Sequence, residues 1–206
     1  MSNNDAPHGF KPYEELLHAG LYCVATAPTI NIMVGDMVGF SNTSIACTKG
    51  RGQMASVEDG QIISTTPGAA YAIMGAVLAC FDENMFPVNY IAAAEAGDGT
   101  VAGYVLIADH PYQLFEAQED GETAAIAAAD VGLNFEIASP ALSAGNTTTG
   151  ISKQEIDSDS HSTTATMALR VIKMAYPEED TIGSAGCRWV VQISPLAHFR
   201  GYGTAI

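Results

Sequence analysis

The end of the chain carries the pattern that most restricts its fold. Cys187, Trp189, Val191 and Ile193 fall on one face of an extended segment, with Arg188, Gln192 and Ser194 opposite. Met167, Leu169 and Val171 share a face in the same way upstream. Strand side chains alternate between faces, so period-two hydrophobicity describes strands with one face buried. Residues 21–27 form a half-apolar run ended by Pro28. Ile30, Ile32 and Val34 alternate with Asn31 and Met33 and stop at the turn pair Gly35-Asp36. Residues 37–40, 101–108 and 113–118 are further stretches of strand length, and Gly50-Arg51-Gly52 and Glu58-Asp59-Gly60 mark turns. Residues 69–81 suit either a buried strand or a buried helix. Gly75, the aromatic ends and the bounding turns favour a strand covered on both faces.

Helical patterning is sparse. Residues 123–130 (Thr-Ala-Ala-Ile-Ala-Ala-Ala-Asp) are the best candidate, because alanine has the highest helix propensity, but so short a helix needs packing partners. Residues 139–166, rich in Ser, Thr, Gly and Asp, read as a long crossing loop or extended segment. The expectation is a mainly β fold: a compact β-barrel or sandwich of many short strands, with an extended N-terminal arm and little helix. The arm covers residues 1–20. Residues 21–206 form a single β-rich domain, or two β subdomains joined by the 139–166 loop.

Composition narrows the function classes. The charge is 8 − 23 = −15, and charged residues make up only 15% of the chain, against roughly 25% for an ordinary soluble domain. The few basic residues are scattered apart from Lys49 and Arg51, which leaves no electrostatic footprint for nucleic acid. The longest apolar run, 69–81, is shorter than the ~20 residues a membrane span requires. Met1-Ser2-Asn3-Asn4-Asp5 has neither a basic nor an apolar signal region, so synthesis in a cytoplasm is expected. Cys23, Cys47, Cys80 and Cys187 are far apart with no C-x-x-C pair; buried free thiols are expected.

Candidate chemistry is thin. His8 and His18 lie in the arm and His198 in the tail, while His110 follows Asp109 and His161 follows Asp157 and Asp159. No G-x-S-x-G elbow provides a nucleophile, and a triad is defined by geometry that sequence does not show. Asp157-Ser158-Asp159 has the spacing that begins a calcium loop, but Ser162 and Ala168 stand where such a loop needs glycine and glutamate. Asp157 and Asp159 are therefore weak metal candidates. Asp82-Glu83, Glu178-Glu179-Asp180, and Glu116 and Glu119 with Asp120 read as solvated turns. The residues imply no enzyme and no cofactor.

Several stretches carry a resemblance in their order: Ile32-Met33-Val34-Gly35-Asp36-Met37-Val38, Ile73-Met74-Gly75-Ala76-Val77-Leu78, Val105-Leu106-Ile107-Ala108-Asp109-His110-Pro111 and Leu114-Phe115-Glu116-Ala117-Gln118-Glu119-Asp120-Gly121. Gly132-Leu133-Asn134, Thr147-Thr148-Thr149-Gly150-Ile151-Ser152, Leu169-Arg170-Val171-Ile172 and Arg188-Trp189-Val190-Val191-Gln192-Ile193-Ser194 follow. The series is similar to that of a family of tailed-phage virion proteins that decorate or cement the capsid shell. The first four stretches resemble its valine-Gly-Asp-x-Val turn, its Ile-x-Gly-Val-Val strand and its valine-x-Ala-Asp-Asp-Pro … Phe-Glu-x-Gln-Glu-Asp block. The likeness spans roughly residues 30 to 198. It departs at His110, where a second Asp is usual, and in the Gly- and Ala-rich connection from Phe86 to Val101.

The resemblance implies a non-enzymatic structural role on the outer capsid surface of a virion. The implied partners are the major capsid protein and further copies of the chain, as a homodimer or homotrimer. A net charge of −15 suits a protein outside the shell, away from DNA, and discourages premature self-association. Candidate contact residues are Phe10, Tyr13, Leu16 and Leu17 in the arm and Phe199, Tyr202 and Ile206 in the tail. The alternative is a tail or head-fibre adaptor in host attachment, although no repeat or heptad is visible. A carbohydrate-binding module or hydrolase ranks below both, since Trp189 sits on a predicted buried face.

Overall fold

A computed structural model describes residues 3–25, 28, 30–40, 53–56, 73–98, 101–121, 124–138, 145–163 and 167–198. Fourteen short strands follow in order: β1 Lys11–Pro12, β2 Gly20–Ala25, β3 Ile32–Met33, β4 Met37–Phe40, β5 Gln53–Ser56, β6 Ile73–Phe81, β7 Pro87–Val88, β8 Tyr90–Ile91, β9 Val101–Ala108, β10 Leu114–Gln118, β11 Asn134–Ile137, β12 Ile156–Ser162, β13 Leu169–Met174 and β14 Arg188–Ile193. One sheet runs β1-β10-β14-β13-β11-β12 and is antiparallel throughout. The other runs β4-β5-β2-β9-β6-β7, with β4 also pairing with β6, while β3 and β8 make a small third sheet. The whole is sandwich-like rather than one closed barrel.

The core explains this architecture. Met37, Ile73, Ala76 and Ala108 from the second sheet join Phe115, Phe135, Leu169, Val171, Trp189, Val191 and Ile193 from the first in one apolar cluster. β14 lies between β10 and β13, which is why its alternation is the plainest in the sequence. Trp189, Val191 and Ile193 are buried as expected. Burial of one such large side chain stabilises by about 1.5–3 kcal/mol. A second cluster, including Tyr22, Val24, Val38, Met74, Val105 and Ile107, fills the second sheet. β6 is the strand expected over 69–81, and its burial on both faces from Ile73 to Val77 accounts for its unbroken hydrophobicity.

Two expectations are corrected and one is made specific. Among the described residues of the alanine-rich segment only Ala128–Asp130 is helical, as a single 3-10 turn. Ala127, Ala128 and Ala129 are exposed and Ile126 is buried, so no apolar stripe anchors a longer helix. Within 139–166, read as a crossing loop or extended segment, Ile156–Ser162 is extended as strand β12, paired with β11; its buried positions include Ser158 as well as Ile156, and a buried serine leaves no hydrophobic signal. Cys80 and Cys187 are free and buried, whereas Cys23 is disulfide-bonded, a pairing that sequence spacing does not reveal.

Candidate interaction surfaces and buried acids

The arm folds back on its own domain. Asn3 bonds the backbone of Thr181 and Ser184. Gln118 then receives the Ala6 N–H at 3.0 Å and donates to the Asn4 carbonyl at 2.6 Å. The Phe10 N–H donates to the Gly35 carbonyl, and β1 pairs with the outer edge of β10. Phe10 is 1% exposed and belongs to the shared core. The expectation of Phe10 as an outward contact is thus corrected: an aromatic ring gains more from its own core than from solvent. Tyr13 is half-buried, with the Lys173 ammonium 4.9 Å from its ring centroid. Phe199, Tyr202 and Ile206 lie outside the described residues.

Leu16 and Leu17 are 44% and 48% exposed. They are held in place from both sides. Gln113, buried, accepts the Leu17 N–H at 2.9 Å and donates to the Glu15 carbonyl at 3.1 Å. One residue further along, His18 Nδ1 hydrogen-bonds Asp109, whose other oxygen accepts the Tyr22 hydroxyl. Asp109 is fully buried, so these bonds matter: an unpaired buried carboxylate costs far more than a paired one. Tyr112, 65% exposed, neighbours Gln113 and stacks obliquely on His110. The arm bonds at Glu15 and Leu17 therefore bring Leu16, Leu17 and Tyr112 to one corner. His18→Ala should release the arm without unfolding the core, seen as several-fold faster proteolytic cleavage near Leu16; unchanged cleavage would remove the latch role.

Two more polar centres stand beneath the arm. Glu116, expected in a solvated turn, is buried on β10. His8 Nε2 lies 3.2 Å from its Oε1, and the Tyr176 hydroxyl donates to Oε2 at 2.7 Å. His8 first, then Tyr176, holds the Glu116 carboxyl down at about 2 against the opposing effect of burial. The Arg188 guanidinium lies over the Tyr176 ring at 4.2 Å and pairs with Glu179 and Asp180. Glu119 is fully buried and accepts N–H groups from Ile126 at 2.6 Å and Cys187 at 3.3 Å. Burial pushes its carboxyl up to about 7 despite those bonds. The Trp189 side chain also favours its ionised form, although Nε1 makes no bond of good geometry. Both acids depart from the solvated turns expected, because partners from other segments of the same chain, not local sequence, surround them.

Asp36, read as a turn residue, is a third buried acid. Its carboxylate accepts the Met33 N–H at 2.8 Å and a Ser152 hydroxyl bond. Burial pushes its carboxyl up to about 7. Burial, reinforced by Asp36 and Glu119 respectively, also pushes the Cys80 and Cys187 thiols up to about 12. Neither sulfur supplies a thiolate nucleophile near neutral pH.

The histidines and metal candidates singled out in the sequence do not assemble. His110 accepts the Tyr112 N–H and His161 tilts against Phe135. Asp157 Oδ1 accepts the Asp159 N–H, and Asp159 Oδ1 accepts the Ala124 N–H, so both carboxylates serve the local backbone. Among the described residues no group of three His, Cys, Asp or Glu could hold a metal.

Past the residues that pair with β4, β6 turns tightly into β7. Met85, Phe86 and Val88 project from this turn, with Phe86 67% exposed. The three non-glycine residues with positive φ among the described residues are Glu14 (60°), Met85 (69°) and Ala94 (60°). One precedes the Leu16-Leu17 corner, one lies within the β6–β7 turn and one follows β8. Such strained backbone persists where surrounding structure enforces it, and it concentrates at functional surfaces. Tyr112, Met85 and Phe86 had no signal in the sequence that set them apart from strand-end residues.

The fold and these surfaces define an all-β sandwich with preformed apolar corners. No known protein family, curated protein or solved structure matches the chain.

Proposed function

We propose that this chain is a structural virion protein, a capsid decoration or cement subunit that binds the outer surface of a phage shell as a homo-oligomer. The observation that carries this reading is the Leu16-Leu17-Tyr112 corner. A flexible arm would lose entropy on binding; this one is already fixed by His18, Asp109 and Gln113 with its leucines facing out. Preorganised apolar anchors of this kind bind with less ordering cost. Several copies acting together on a repetitive shell gain further through effective concentration. The order of sequence stretches that resembles the decoration family supports the same reading, and the acidic charge of −15 suits a protein on the far side of the shell from DNA.

The test is co-sedimentation of the full chain with emptied, expanded capsids of the phage that encodes it. Saturable binding at a fixed ratio to the major capsid protein is expected. Leu16→Ser combined with Tyr112→Ser should weaken binding about tenfold or more, as for loss of a hot-spot pair, with the melting behaviour of the chain retained. Absence of binding to both expanded and precursor shells would sink the reading and favour the fibre-adaptor alternative.

A further inference from the structure

A groove of about 600 Å³ opens where the β6–β7 turn meets β8, a volume typical of sites that take up small ligands or short peptide segments. It is independent of the Leu16-Leu17 corner and of the capsid reading. Val88, Tyr90 and Ile91 supply apolar wall, and Asp82, Glu83 and Glu95 stand around it. None of its lining residues is basic. Two of its acids are fixed by short local bonds. Asp82 Oδ1 accepts the N–H groups of Asn84 at 2.9 Å and Phe86 at 2.8 Å, and Glu83 Oε1 accepts the Asn84 amide.

The groove is built rather than incidental. The Asp82 N–H donates to the Phe86 carbonyl at 2.9 Å and the Met85 N–H donates to Asp82 at 3.0 Å, closing the turn that carries one wall. The opposite side is tied by the Ala94 N–H to the Pro28 carbonyl at 2.8 Å and by the Ala93 N–H to Asn31 Oδ1 at 2.8 Å. Both sides contain a residue held at positive φ, Met85 and Ala94. Among the described strands β7 ends its sheet, so the groove runs along a strand edge, and Phe86 stands exposed at its rim.

This combination selects its occupant. A bare cation would be satisfied by the carboxylates but would leave the apolar wall uncovered; a purely apolar segment would desolvate three acids with nothing to pair them. We propose that the groove takes up an extended peptide segment of a partner protein in which a lysine or arginine lies between apolar side chains. The apolar groups cover Val88 and Tyr90, and the cation pairs with the Glu83–Glu95 side. Extended segments laid along a sheet edge, with alternate side chains entering pockets, are a recurrent recognition mode.

The test is a titration of the ¹⁵N-labelled full chain with the peptide acetyl-Val-Lys-Val-Arg-Val-amide, with spermine as the purely cationic comparison. Saturable shifts of the Ile91, Ala92 and Ala102 amides are expected. Binding should weaken at least fivefold in Glu83→Gln/Glu95→Gln, and also in Val88→Ser, which leaves every charge in place. All three side chains are at the surface, and unchanged spectra away from the groove report that the variants fold. Spermine binding as tightly as the peptide, shifts that map elsewhere, no saturation, or full binding by Val88→Ser would each overturn the proposal.

Discussion

Raising the pH from about 5 to about 8 is expected to destabilise the folded chain by several kcal/mol, through Asp36 and Glu119. Each carboxyl is pushed to about 7 by burial, from 3.8 and 4.5 respectively. In the unfolded chain both ionise near their ordinary values, so between those values and about 7 the folded state retains protons that the unfolded state releases. Their contribution is fully present below the unfolded values and is lost as the pH rises through 7, on the order of 3 kcal/mol apiece. Glu116 acts in the opposite sense. Its carboxyl is held at about 2, so its contribution is present above 4.5 and lost as the pH falls toward 2. Maximum stability is thus expected near pH ~4, with a steady fall above pH ~5. Urea midpoints across this range test it, and Asp36→Asn and Glu119→Gln should each flatten the alkaline limb. A wild-type midpoint that does not fall between pH ~5 and ~8 would refute the assignment.

The second large effect lies at Gly75. This residue sits at φ +153°, paired with Val38 on β4 and beside the Ala76–Ala108 pair on β9. A Cβ built there would stand 1.8 Å from the Ala108 carbonyl oxygen and 2.8 Å from its carbon. That neighbour is backbone on an adjacent strand, so relief requires the sheet itself to separate. Gly75→Ala is expected to cost more than ~3 kcal/mol, combining overpacking with conformational strain. Gly183 provides the comparison: its φ is +77° but nothing lies within 4 Å of the added carbon. Gly183→Ala should cost only about 1 kcal/mol, the backbone term alone. Equal losses in the two variants, read from denaturant midpoints, would mean that the close approach to β9 is not what requires glycine.

The parts of this fold that sequence reading reached are those in which apolar residues report burial. β14, β13, β9 and β6 were legible because Trp189, Val191, Leu169, Val105 and Met74 face the core in register with their neighbours. β12 was not, since Ser158 and Ile156 fill inward positions in a run that is otherwise Asp, Ser and His. The two-residue strands β1, β7 and β8 exist only through their partners, and no window that short carries a period. The burial of the acids left no sequence signal for a related reason. Asp36 is accompanied by Ser152, Asp109 by His18 and Tyr22, and Glu119 by Ile126 and Cys187, and most of these partners come from distant parts of the chain. Of the candidate surfaces, Leu16 and Leu17 stood out in the arm. Tyr112 and the Asp82–Glu95 groove became visible only once the turns had folded.

The docked arm has a consequence for how the chain behaves at high concentration. β1 covers the outer edge of β10, and it does so with Lys11 and Pro12, a charge and a residue without an N–H. Both are gatekeepers against further strand addition. A chain cleaved after Pro12 that lost this cover would offer Leu114–Gln118 as a template for intermolecular pairing. The first dozen residues are therefore also an aggregation guard, and a nicked preparation would announce itself by concentration-dependent light scattering long before its core had melted.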